Sequence, residues 1–518
     1  MTVPYQSSGS GGESLPATDG VPTGYSLFYD ASSGIAKWGQ SSISTTGAND
    51  LDILTYKSST NKIVWSSASI NLKNFIAQSA TPQLYGTFFG TEAGDKIGGV
   101  DITADGDYIV IGYYHAKQST DSSSDKRGLV RVYKSTDKTN DTWEQVGGNI
   151  YGSTTTSEIG KQVVIAHDNP NRIAIRDENP ACVRVYDYSG GAWSLNATLT
   201  ANSSGDNNIH AVRLSNNGNR LAMSDLTQGG VGKLVVYDYS NSTWTLTNIV
   251  HPYGVTENDR YGFAMDMTGD GNRIVTSFPA NRDLVRIVDY INGSWTWTSH
   301  VFTGDSGSKT GFSVAISSDG TTIAYSQPEF NIGSNSDSGR VTIYRDEGSG
   351  FVSEGNFNGT QAQGKLGHRF WEGNSGNATS VPSGWENELR NYFSSNLALN
   401  KDGRRMVVGS WFYDDSNHER GIIKIYDKSP TSNAWSVSGT SSSQTNTFID
   451  ILGDNELNGY FGSSLAIDGG GNHVASVGAY DNNSSGTDAG IAKTYILPLA
   501  LTSGTVFYNT DGILRIAP

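Results

Sequence analysis

Gly262-Phe263-Ala264-Met265-Asp266-Met267, then Gly269-Asp270-Gly271-Asn272, then Arg273-Ile274-Val275-Thr276 read as an apolar strand, a tight polar turn and a second apolar strand. Glycine and aspartate suit that turn, because it needs positive-φ freedom and a short side chain that can accept backbone hydrogen bonds. Matching turns stand at Asp105-Gly106, Asn169-Pro170-Asn171, Asn217-Gly218, Asp270-Gly271, Asp319-Gly320, Asp402-Gly403 and Gly470-Gly471, seven in all. A third strand follows each at a variable distance and ends near a tyrosine, as in Val183-Arg184-Val185-Tyr186-Asp187, Leu234-Val235-Val236-Tyr237-Asp238 and Ile423-Lys424-Ile425-Tyr426-Asp427. A fourth opens on an aromatic ring in six units, at Trp143, Trp193, Trp244, Trp295, Phe351 and Trp435.

A unit of four antiparallel strands repeated seven times predicts an all-β, seven-bladed β-propeller. One blade is too thin to hide both faces, so the rings and the Val, Ile and Ala side chains must pack on the next blade. The seventh unit runs out at Leu497 without an outer strand. Leu84-Tyr85-Gly86-Thr87-Phe88-Phe89 precedes the first unit, where Asn149-Ile150-Tyr151-Gly152 precedes the second. It is expected to complete the last blade and close the ring. The chain divides on this reading into an anchoring region at 1–81, the propeller at 82–497 and a tail at 498–518.

Composition agrees with short strands and many turns: Gly is 62 of 518 residues, and charged residues are 17%, against about 25% in an average domain. With 51 acidic and 36 basic residues the net charge is −15, which repels phosphates, so no nucleic acid is expected as a partner. No run approaches the roughly 20 apolar residues of a membrane span, and Met1 to Gly20 lacks the order of a secretory signal. The single cysteine, Cys182, sits between Ala181 and Val183 and reads as a buried strand residue.

The pattern resembles the FG-GAP propellers, known best from the heads of integrin α chains. Tyr460-Phe461-Gly462-Ser463-Ser464-Leu465-Ala466-Ile467-Asp468 and Val474-Ala475-Ser476-Val477-Gly478-Ala479 carry the resemblance, with echoes at Tyr261-Gly262-Phe263-Ala264 and Thr310-Gly311-Phe312-Ser313. It implies the propeller fold over about 82–497. Calcium loops of that family are cut here to short turns, so no metal is expected there, and Asp266 with Asp270 is the one pair to re-examine. The ends carry a second resemblance. Tyrosine-bearing strand, polar turn and apolar strand succeed one another at Leu27–Trp38, Ile53–Trp65 and Val506–Ile516. Such hairpins are similar to those of structural proteins from phages and large DNA viruses.

Chemistry is thin in the sequence. Eight histidines are scattered without metal spacing, and no nucleophile elbow, phosphate loop or dinucleotide fingerprint occurs in context. Ser317-Ser318-Asp319-Gly320-Thr321 resembles a sialidase Asp-box but is one residue short. Neither an enzyme nor a cofactor is expected, and no catalytic residue is assigned. Binding is placed on the face bearing the long loops after the second strands, where Tyr113, Tyr114, Trp371, Trp385, Trp411, Phe412, Tyr413 and Tyr480 offer aromatic area. The expected function is a virion structural or decoration protein made in the host cytoplasm. Residues 1–81 and 498–518 would dock on other virion proteins, within an assembly that allows homo-oligomers, and the loop face would meet a host surface protein or glycan. The alternatives are a cellular adhesion or glycan-binding propeller and a propeller glycoside hydrolase, the latter marked by acids converging on the axial channel.

Overall fold

The computed structural model describes residues 82–137, 142–201, 208–226, 232–250, 259–280, 282–369, 396–414, 420–428, 435, 449–454, 459–482 and 485–498, and the paired strands of three terminal hairpins. The chain forms two compact units, Ser79–Thr502 and a second made of Met1–Gln78 with Ser503–Pro518. In the second unit Tyr25–Asp30 pairs with Ile35–Gln40, Ile53–Lys57 with Lys62–Ser66, and Val506–Tyr508 with Leu514–Ile516, the hairpins read from the sequence.

The first unit is a β-propeller of seven antiparallel blades. Blade 1 runs from Ile97–Ile102 through Tyr108–Tyr113 and Leu129–Asp137, and its outer edge is shared between Thr142–Gln145 and Ile150–Tyr151. The inner strands of blades 2 to 6 are Val163–Ala166, Ile209–Leu214, Met265–Met267, Val314–Ile316 and Leu397–Leu399. Blade 7 has three strands from the C-terminal side of the repeat, Phe461–Ile467, His473–Gly478 and Ile491–Ile496, and takes Gln83–Phe89 as its fourth. The expected closure of the ring by the first strand of the propeller is therefore present. Among the described residues no helix is long and apolar enough to cross a membrane.

Three devices hold blade to blade. Small residues make the first: Gly262, Gly311 and Gly367 have φ of 90°, 84° and 78°, open to glycine and strained for other residues. A Cβ on each would stand 2.7, 2.5 and 2.4 Å from the Cβ of Ser224, Ser277 and Ser326 on the preceding blade. This contact is the physical content of the glycine in the repeat motif. The second is an arginine clasp. Arg172, near the start of its second strand, and Arg220, Arg273 and Arg405, which open theirs, bind Asp187, Asp238, Asp289 and Asp427, the acids after the third-strand motif, through two nitrogens. Each guanidinium also donates to the turn glycine carbonyl of the next blade, at Gly218, Gly271, Gly320 and Gly471. Charge-assisted forks of this kind are the stronger hydrogen bonds.

The third device circles the axis. Backbone N–H groups donate from Ala104 to His167 (3.1 Å), Asp168 to Asn216 (2.8 Å), Asn216 to Gly269 (2.8 Å) and Gly269 to Ser318 (2.9 Å). The ring continues from Asp319 to Lys401 (3.1 Å), Lys401 to Gly469 (3.1 Å) and Gly469 back to Ala104 (3.0 Å). Every blade is thus linked to the next at its first turn, which satisfies inner-edge backbone groups that the sheets leave open. Within each turn a side chain does the same work: Thr268 Oγ1 and the Asn272 N–H both donate to Asp270 Oδ1, at 2.6 and 2.9 Å.

Candidate functional site: the axial channel

The strand pairings set the inner strands in register, Met267 opposite Ile274, Ile102 opposite Ile109 and Leu214 opposite Leu221. One residue before that position the seven blades place Asp101, Val164, Arg213, Asp266, Ala315, Ala398 and Ala466, all but Ala315 on the wall of a single axial cavity. The cavity holds about 120 Å3. Toward the face of the first turns His167, Asn216, Ser318 and Lys401 also line it.

Asp101 and Asp266 occupy equivalent positions in blades 1 and 4 and make equivalent bonds. Asp101 Oδ2 accepts the Ile165 N–H of blade 2 at 3.0 Å, and Asp266 Oδ2 accepts the Ile316 N–H of blade 5 at 2.9 Å. The second oxygens differ in partner: His167 Nε2 is 3.3 Å from Asp101 Oδ1, and Arg213 Nε donates to Asp266 Oδ1 at 2.8 Å. Burial works against charge on His167, yet Asp101 first, then Asp266 and Asp168, outweigh it and hold the imidazole above its ordinary value. The channel thereby joins an imidazole whose protonated form is favoured, a guanidinium and two carboxylates, which can bind polar groups and transfer protons. The sequence missed this convergence because the four residues come from four separate repeats and share no local motif. Asp266 and Asp270, the pair that the sequence offers for a metal, are engaged separately, with Arg213 and with the Thr268 turn.

Of the aromatic residues expected to offer binding area on the loop face, five are buried. Tyr113, Tyr114, Trp411, Phe412 and Tyr480 are buried in one core cluster with Tyr460. The Trp411 and Phe412 rings stack with centroids 3.6 Å apart, and Trp411 Nε1 donates to the His368 carbonyl at 2.8 Å. Tyr413 is half-buried, and Trp371 and Trp385 lie outside the described residues. Beside this cluster runs an arc of rings, His210, Phe263, Phe312 and His368, with successive centroids 4.7, 4.7 and 4.6 Å apart. Arg369 lies over Phe263 and close to His210 Nδ1, at 5.2 and 3.3 Å. Burial and the nearby cations, Arg369 and Arg176 for His210 and Lys365 for His368, push both imidazoles well below their ordinary value.

No family model and no curated protein matches the chain. Among solved structures it is similar to the β-propeller domain of Cps50 (Swd1) from Myceliophteria thermophila, with a TM-score of 0.47, 9% identity, and coverage of 80% of this chain and 99% of that one. A protein from Bacteroides fragilis assigned as a 6-phosphogluconolactonase gives a TM-score of 0.42 and 13% identity, covering 80% and 98%. The periplasmic gluconolactonase PpgL of Pseudomonas aeruginosa gives 0.41 and 12%, covering 79% and 96%. The propeller of this chain rests on its own strand pairings and not on these distant likenesses. Two of these proteins carry lactonase names, and the expectation that this chain is not an enzyme is withdrawn.

Proposed function

We propose that the propeller is a hydrolase working in its axial channel, the reading marked in advance by acids converging on the axis. The observation that supports it is the meeting of Asp101, His167, Arg213 and Asp266 in one cavity. His167 Nε2 faces Asp101, which leaves Nδ1 for proton transfer. The imidazolium gives its proton to the leaving oxygen as the bond to carbon breaks. Water adds to that carbon and returns a proton to the ring, so one water is added across one C–O bond. Arg213, braced by Asp266, stabilises negative charge on the substrate. A cavity of about 120 Å3 is below the roughly 300–1,000 Å3 of drug-sized sites, so a small substrate or the end of a larger one fits.

Screening the full chain on ester, lactone and glycoside substrates tests the reading. Hydrolysis by wild type is expected, falling by about 10²–10⁴-fold in His167→Gln with the circular dichroism spectrum unchanged. Equal rates in the two proteins, or no turnover on any class, overturn it. Loss of rate as pH rises through the raised value of His167 is the accompanying signature.

A second reading rests on the terminal unit, which gathers both chain ends and carries the three hairpins. It gives residues 1–81 and 498–518 an attachment role on a viral particle, and co-sedimentation of the full chain, but not a chain lacking those ends, with particles tests it. Kinship with the FG-GAP propellers is a further part of this proposal and is supported by the glycine contact at Gly262, Gly311 and Gly367.

A further inference from the structure

The channel's unused hydrogen-bonding capacity is one-sided. Asp101 accepts from the Ile165 and Ile102 backbones and faces His167, so both its oxygens are engaged. Asp266 is engaged on both by Arg213 and Ile316. Asp468, the third acid of the lining, accepts from Asn472 at 2.6 Å and lies 2.7 Å from His473 Nδ1. The cations are less occupied. Arg213 uses Nε on Asp266 and Nη1 on the Val212 carbonyl, which leaves Nη2. His167 keeps Nδ1, and the exposed Lys401 ammonium has no side-chain partner among the described residues. Blades 3 and 6 therefore bring unused donors to one cavity, beside the His167 ring of blade 2, and the carboxylates there are already taken.

Much of the rest of the lining is apolar. Ile316, Ala398, Leu399, Ala466 and Ile467, from blades 5, 6 and 7, line the same cavity. A bare inorganic anion would leave that apolar wall wet, and a cation would meet the donors. We infer that the channel binds a small organic anion, its charged group among His167, Arg213 and Lys401 and its apolar body against the wall of blades 5 to 7. The inference rests on the proposed use of the channel and names the substrate class. The cavity volume of about 120 Å3 equals roughly four water-sized units, so the body is a few carbons long.

Isothermal titration of the full chain with acetate, butyrate and inorganic phosphate, and with choline as the cation, tests it without turnover. Butyrate is expected to bind more tightly than acetate, by roughly fourfold per added methylene, and more tightly than phosphate. Choline should not bind. Lys401→Gln, an exposed position whose loss spares the fold, should weaken butyrate by about three- to tenfold. Choline binding as tightly as butyrate, phosphate binding more tightly than butyrate, or an unchanged butyrate affinity in Lys401→Gln overturns the inference. Butyrate binding without hydrolysis of any substrate would end the hydrolase reading and leave the anion site standing. Hydrolysis of neutral substrates without butyrate binding would do the reverse.

Discussion

Three histidines near the axis show how differently the two faces of one propeller are built. His167, at the turn face, is half-exposed beside Asp101, which shifts the ring toward its charged form. His210 and His368, on the side of the loops, are fully buried among aromatic rings and cations and are held neutral. The residue type is the same, and the surroundings reverse its charge. Loop-side rings are used up in packing, whereas turn-side charges keep hydrogen-bonding capacity.

The largest expected effect breaks the packed side. Trp411→Ala removes a fully buried ring that stacks on Phe412 and meets Tyr460 edge-on, and it also strips a donor from the His368 carbonyl. A loss of about 3–5 kcal/mol is expected in denaturant unfolding, with hydrolysis per folded molecule unchanged. A loss below about 1 kcal/mol would mean that the ring is available to a ligand after all.

Acid should expose the contrast in charge. His210 and His368 have folded values below the unfolded value near 6.5, so the unfolded chain binds more protons as pH falls through 6.5. Stability should then decline on acidification by up to about 1.4 kcal/mol per pH unit for each imidazole, until the lowered values are reached. Unfolding midpoints measured between pH 7 and 5 check this, and His368→Phe, which keeps a ring beside Phe312, should flatten the slope by about half. An unchanged slope in the variant would place the acid sensitivity elsewhere.

The repeat was legible because a blade is written locally: strand periodicity, a Gly-Asp turn and a Trp at the start of the outer strand each fall within a few residues. Ring closure was legible for the same reason, since the segment before the first unit copied the segment before the second. The clasp was half legible, its acid standing at Asp187 or Asp238 while its arginine, 15 or 18 residues earlier, looked like any strand-edge cation. The channel was hidden, because Asp101 and Asp266 meet their partners only once the ring exists. A large ring such as Trp411 reads equally well in sequence as a binding surface or as core, and burial separates the two. Charged residues at inner-strand positions, where other blades carry Val or Ala, were the signal that could have pointed to the axis.

Asp101 and Asp266 allow the smallest and most discriminating test, because their backbone bonds match and their cations differ. Asp101→Asn keeps an acceptor for the Ile165 N–H and removes the charge opposite His167. With the first-ranked stabilising carboxylate gone, burial prevails and the titration of His167, followed by NMR, moves down. In wild type the raised value contributes stability that is complete below about pH 6.5 and is lost as pH rises through it. Asp101→Asn should therefore be less stable than wild type by about 1–2 kcal/mol in mild acid, with the difference shrinking as pH rises through the wild-type value of His167. Asp266→Asn removes its charge from Arg213, which does not titrate there, and only the lesser carboxylate influence on His167, so its destabilisation should change less with pH across the same range. Parallel pH profiles for the two variants would show that Asp101 serves the blade contact alone and that His167 owes its charge to something else.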